Sequence, residues 1–139
     1  MRRRPASRSG SQEMTMSIPS HRVLVLEADE DLQRLFVALL GDEGYQAEVV
    51  TSVPAAVEAL RANRPALVLV DMDRLGNQGG EFVRSAKAEF GESLPIVIVG
   101  PRYEAAALAE EAHADASLAK PFDISVFIDL LQTLTRGRP

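Results

Sequence analysis

Acidic side chains close two apolar runs in this chain, and a lysine follows a third. Glu27 comes directly after RVLVL (22–26), with Asp29, Glu30 and Asp31 just behind it. Asp71 comes directly after ALVLV (66–70), with Asp73 two residues on, and Lys120 stands between ASL (116–118) and Pro121. Carboxylates gathered in one cleft repel, which raises the pKa of at least one of them unless a divalent cation or an ammonium group neutralises the set. A hard cation such as Mg²⁺ suits an all-oxygen site of this kind. The chemistry therefore depends on whether the three segments meet.

The elements that must position them alternate regularly. RVLVL reads as a strand, and Leu32, Leu35, Phe36, Leu39 and Leu40 then recur at helical spacing until Gly41 and Gly44. QAEVV (46–50) is a second strand, and Ser52 can cap a helix striped by Val53, Ala56, Val57 and Leu60 that Pro65 ends. ALVLV is the third strand, and Phe82, Val83, Ala86 and Phe90 stripe the third helix. PIVIV (95–99) is the fourth strand, the alanine-rich segment 102–112 the fourth helix and ASL the fifth strand. Asp123 can cap a last helix carrying Ile124, Phe127, Ile128, Leu131 and Leu134.

Strands apolar at consecutive positions are buried on both faces, so RVLVL, ALVLV and PIVIV belong inside a parallel sheet with helices on each side. Right-handed crossovers leave few topologies, and a flavodoxin-like (βα)5 order, 2-1-3-4-5, puts those three runs at the centre. Ligands bind such α/β sheets beyond the carboxyl ends of the strands, where the order reverses between the first and third. Glu27, Asp71 and Lys120 are expected to converge there. Asp29, Glu30 and Asp31 read as cap and first-turn acids stabilised by the helix dipole, whereas Asp71 has no capping duty.

Composition narrows the function classes. At 139 residues, 46% of them apolar, the chain has material for one core. It lacks cysteine, so disulfides, thiolate metal sites and a cysteine nucleophile are excluded, and His21 and His113 leave little for zinc. No apolar run approaches the roughly 18 residues of a membrane span, and no apolar stretch follows the arginine-rich start as a secretory signal requires. The expected location is cytoplasmic, without a membrane partner. Residues 1–22 carry Arg2, Arg3, Arg4, Arg8 and Arg22 against Glu13, a net +4, so the remainder holds −9 of the overall −5. An acidic body argues against nucleic-acid binding by the folded part. Residues 1–21 are expected to form a flexible basic tail, 22–136 the folded domain and 137–139 its C-terminal end.

With these residues in view, the chain resembles the receiver domain of bacterial response regulators. The matching segments are VLVLEADED, the Gly44–Tyr45 pair, LVLVDMD around Asp71, QGGEF with Gly79 eight residues beyond Asp71, PIVIV, and LAKPF around Lys120 and Pro121. The resemblance covers about residues 22–136 and implies no enzyme. It implies that Asp71 accepts a phosphoryl group from a histidine kinase or phosphotransfer protein. Acids at the first strand end, with Asp71 and Asp73, would hold Mg²⁺, and Lys120 would contact the phosphoryl oxygens. Phosphoryl transfer asks for this combination: a positioned acceptor and positive charge on the equatorial oxygens.

Departures from the pattern are specific. Where the family places two acids the chain has Glu27 and Ala28, and Ala28 cannot bind a cation, so Mg²⁺ affinity is expected to be weak or absent. Glu27 could reach the metal or instead pair with Lys120. The hydroxyl residue expected at the end of the fourth strand is Gly100, and the switching aromatic three positions before the lysine is Ser117. His113 replaces a glycine that often takes positive φ.

Two readings stay open: a phosphoryl acceptor with a degenerate metal site and switch, or a pseudo-receiver that acts by binding a downstream protein partner. A haloacid-dehalogenase-type enzyme is suggested only by the D-x-D of Asp71 and Asp73, a motif that normally ends the first strand of a longer chain. Nucleotide or flavin binding lacks a glycine-rich loop after the first strand. For protein binding, Val126 and Leu130 on the last helix lie off the sheet-facing stripe and are expected to be partly exposed, forming a partner or homodimer surface.

Overall fold

A computed structural model describes residues 21–136 of the chain. The expected basic tail, apart from its last residue, and the three C-terminal residues lie outside the described residues.

Among the described residues five strands and five α-helices alternate: β1 (Arg22–Leu26), α1 (Glu30–Asp42), β2 (Gln46–Val50), α2 (Val53–Ala62), β3 (Leu67–Asp71), α3 (Asn77–Phe90), β4 (Ile96–Pro101), α4 (Ala105–Ala112), β5 (Ala116–Lys120) and α5 (Ile124–Thr135), with a short 3-10 turn at Gly91–Ser93 before β4. The strands form one parallel sheet in the order β2-β1-β3-β4-β5, the flavodoxin-like arrangement anticipated from the apolar runs. The first two strands begin and end where the sequence places them. The third and fifth run further, to Asp71 and Lys120, because each strand continues until its carbonyls lose their neighbour. Helix α4 starts at Ala105 rather than 102, since Pro101 to Glu104 form a turn closed by the Glu104 N–H bonding Pro101 O.

The pleat sends alternate residues to opposite faces and so splits the core in two. Leu24, Leu26, Val68, Val70, Ile96 and Ile98 pack on one side with Ala56 and Leu60 of α2, Phe82 and Val83 of α3, and Ala109 of α4. Val23, Val25, Leu67, Leu69, Val97 and Val99 pack on the other with Phe36 and Leu40 of α1 and Phe127 and Leu131 of α5. A fully buried Val, Leu, Ile or Phe contributes roughly 1.5–3 kcal/mol, so β1, β3 and β4, covered on both faces, fix the sheet.

Local signals act at the helix ends. Asp29 caps α1 by accepting from the Leu32 N–H at 2.9 Å, with Glu30 and Asp31 in the first turn, the structural duty assigned to these acids from sequence. Ser52 caps α2 through the Ala55 N–H. Asp123 occupies the cap position of α5 with extended backbone but makes no side-chain capping bond. His113 ends α4 in the left-handed region, φ 63°, and its N–H returns to the Ala109 and Glu110 carbonyls. A positive φ was the conformation expected there.

Gly79 is required for space. A Cβ there would lie 2.8 Å from Met72 Sδ and 3.1 Å from Leu75 Cβ, so the first turn of α3 sits tightly on the segment that leaves Asp71.

On α5 the stripe facing the sheet differs from the sequence reading at one position. Ile124 is 52% exposed, while Leu130 is partly buried against the inner cluster with Phe127 and Leu131.

Candidate functional site

The parallel register brings the chemistry-bearing residues to one edge. Leu26 pairs with Val70, Asp71 with Val99 and Pro101 with Lys120, so Glu27, Asp71 and Lys120 all emerge at the carboxyl end of the sheet. They line a cavity of about 60 Å³ with Ala28, Asp29, Asp73 and Arg74. The convergence expected from the strand order is therefore present.

Asp71 is the anchor. Its side chain is 4% exposed, Oδ1 accepts the Asp73 N–H at 2.9 Å, and Oδ2 accepts from Lys120 Nζ at 2.8 Å. Lys120 also reaches Asp73 Oδ2 at 2.6 Å and so spans both acids of the D-x-D pair. Burial works to lower the Lys120 pKa, but its bonds to Asp71 and Asp73 outweigh burial and raise it, so the ammonium stays charged. The lysine is held in place from behind. After the cis Lys120–Pro121 bond, Phe122 stacks on Phe36 of α1, centroids 5.7 Å apart, and meets Phe127 of α5 at 6.0 Å. These rings fix the chain on either side of the pocket.

Glu27 does not take the ion-pair position its length allowed. It does not pair with Lys120, whose ammonium is committed to Asp71 and Asp73. Instead Glu27 is 3% exposed, its Oε2 accepts the Asp29 N–H at 3.1 Å, and its Oε1 has no partner. Burial first, and the adjoining Asp71 second, push its pKa up to about 8. At neutral pH the carboxyl is mostly protonated and can donate from Oε1 towards Asp71, which satisfies an atom that is otherwise stranded.

Receiver domains generally bind Mg²⁺ at an acidic site, and the acids lining this cavity are Glu27, Asp29, Asp71 and Asp73. Among the described residues no three His, Cys, Asp or Glu side chains cluster to hold a metal. Ala28 offers a methyl group, and the Lys120 ammonium bridges Asp71 and Asp73.

The two switch positions lie where the strand alignment requires. Gly100 pairs with Ala119 and Ser117 with Ile98. A Cβ at Gly100 would meet Ala105 and Leu108 only at ordinary contact distances of 3.6–3.7 Å, so a side chain is missing there without a steric reason.

The D-x-D pair ends the third strand, not the first. One pocket residue, Arg74, was not singled out from the sequence. It stands directly after Asp73, and nothing in the residue string announces its left-handed backbone, φ 71°.

The cleft and fold have close counterparts. Residues 23–132 match the family described as "Response regulator receiver domain". The DNA-binding response regulator MtrA of Mycobacterium tuberculosis is 31% identical over 109 residues, 77% of this chain and 47% of that protein. The chain thus spans about half the length of that relative. Protein Rrf1 of Nitratidesulfovibrio vulgaris is 29% identical over 123 residues, covering 85% of this chain and 88% of the relative. A putative response regulator from Chloroflexus aurantiacus shares the fold, with a TM-score of 0.76 at 21% identity over 84% of this chain and 98% of the other.

Proposed function

Because the chain belongs to the family of response regulator receiver domains, a family of two-component signalling modules that are typically not enzymes, we propose that it accepts a phosphoryl group at Asp71. The observation that carries this reading is the Lys120 ammonium held 2.8 Å from a buried Asp71 carboxylate in the switch-point cleft. The donor is a phosphohistidine on a histidine kinase or phosphotransfer protein. An Asp71 oxygen forms the new O–P bond while the P–N bond breaks, and the imidazole leaves with the electron pair and takes a proton from water. Lys120 then follows the charge from the carboxylate to the phosphoryl oxygens. Glu27, Asp71 and Asp73 are the residues available to Mg²⁺, and Ala28 makes that binding weak. The folded domain is proposed to extend over residues 22–136.

Incubation with phosphoramidate tests the reading by intact mass. The wild type gains the mass of one phosphoryl group and Asp71→Asn does not. A wild type that stays unlabelled where an intact receiver is labelled would defeat the proposal.

A second reading, binding to a downstream partner without phosphorylation, is favoured by Gly100 and Ser117. Gly100 lacks the hydroxyl and Ser117 the aromatic ring that would couple the pocket to the β4–α4–β5 face. The surface offered is one exposed side of α5, where Val126 is 46% exposed, with Leu130 one turn further on at its margin.

A further inference from the structure

One cation at the cleft has no counter-ion. Arg74 lines the same cavity as Asp71 and Lys120, its side chain is exposed, and its guanidinium makes no hydrogen bond or ion pair with any described residue. Its backbone is also unusual. Only Arg74 and His113 among the described non-glycine residues have positive φ, and His113 earns that conformation by closing a helix. Arg74 closes no helix. It occupies the third position of a turn in which the Leu75 N–H bonds Met72 O at 3.2 Å, a place where glycine or asparagine is normally favoured.

Charge in the cleft shows what an unpaired arginine could do. Lys120 is shared between Asp71 and Asp73, Ala28 offers no metal ligand, and Gly100 offers no hydroxyl donor. A phosphoryl group on Asp71 would bring three oxygens and further negative charge to a pocket whose one engaged cation is already divided. A guanidinium carries a permanent charge on a planar fork that can give two parallel N–H bonds to such oxygens, which an ammonium cannot do.

We propose that Arg74 is a phosphoryl-contacting residue, supplying beside Lys120 the positive charge that a divalent cation would otherwise bring to the phosphoryl oxygens. This rests on Asp71 being the acceptor. In the unmodified protein the arginine waits at the rim in solvent. After transfer it closes onto the phosphoryl oxygens, and it lowers the need for a divalent ion.

The test uses wild type, Arg74→Ala, Arg74→Lys and, as a control outside the pocket, Arg102→Ala. Labelling by phosphoramidate is followed by intact mass with EDTA and across a Mg²⁺ series, and the thermal shift on adding beryllofluoride is measured in parallel. Without added Mg²⁺, Arg74→Ala should label about tenfold more slowly than wild type and lose most of the beryllofluoride shift, with Arg74→Lys intermediate and Arg102→Ala unchanged. Urea unfolding of each unmodified protein separates this from misfolding, and Arg74→Gly, which relieves the positive φ, removes the same charge with a fold at least as stable. Equal rates and equal shifts in wild type, Arg74→Ala and Arg74→Gly would overturn the role of Arg74 while leaving Asp71 as acceptor. A wild type that neither labels nor responds to beryllofluoride would overturn both.

Discussion

Nζ of Lys120 lies 2.8 Å from Oδ2 of Asp71, a bond that joins two residues 49 positions apart. Because the Asp71 side chain is only 4% exposed, removing the lysine strands a buried carboxylate. Lys120→Met should destabilise the domain by about 2–3 kcal/mol in urea unfolding at pH 7. Asp71→Asn added to it should recover part of that loss, whereas simple additivity of the two substitutions would show that the pair is not coupled.

Glu27 gives stability a pH dependence. Its carboxyl holds a proton to about pH 8 when folded and to its ordinary value of 4.5 when unfolded, so the folded state binds the extra proton between them. Its contribution is full below about 4.5, falls as pH rises through the window and is gone above about 8. The slope is at most about 1.4 kcal/mol per pH unit. Glu27→Gln should cancel this slope, so its advantage over wild type grows from pH 5.5 to 8.5. Parallel stability profiles for the two proteins would contradict the assignment.

Asp115 ties three elements together. One oxygen accepts from the Ile96 N–H at 2.7 Å and from Lys87 Nζ at 2.8 Å, and Lys87 also reaches Leu94 O at 3.0 Å. Asp115→Ala leaves a nearly buried ammonium and a backbone donor unpaired and should cost about 2–4 kcal/mol. Lys87→Met, which leaves Asp115 its backbone bond, should cost less. The order of the two urea midpoints is the measurement.

His113 is held at φ 63°, where a Cβ crowds the following carbonyl. His113→Gly should raise stability by about 0.5–1 kcal/mol after allowing for the greater freedom of glycine in the unfolded chain. A lowered melting temperature would mean that the imidazole makes contacts worth more than the strain.

Val126 exposes apolar surface on one side of α5, with Leu130 one turn further on. If this face binds a second copy, Val126→Glu should reduce self-association in sedimentation velocity without altering the melting temperature. Leu130→Ala, truncating a partly buried side chain, should lower stability as well. Identical sedimentation of wild type and Val126→Glu would exclude the homodimer surface.

Alternation of apolar runs with helical stripes was enough to read the fold. RVLVL, ALVLV and PIVIV admit burial on both faces and little else, so the sheet order and the meeting of Asp71 with Lys120 follow from local pattern and chirality. Pattern served less well in the first turn of α5. Ile124 has the right spacing for the core stripe yet is exposed, because spacing gives a side chain's direction and not whether another element covers it.

The sequence alone determined the architecture, the cleft and the identity of its acids, because strand burial and periodicity are properties of neighbouring residues. Only the tertiary structure decided how the charges are shared. Lys120 binds Asp71 and Asp73 instead of Glu27, burial and Asp71 raise the Glu27 pKa, Lys87 finds Asp115, and Arg74 has no partner among the described residues. Each outcome depends on distances and burial between residues remote in the chain, and electrostatic free energy is a function of those distances, not of residue order.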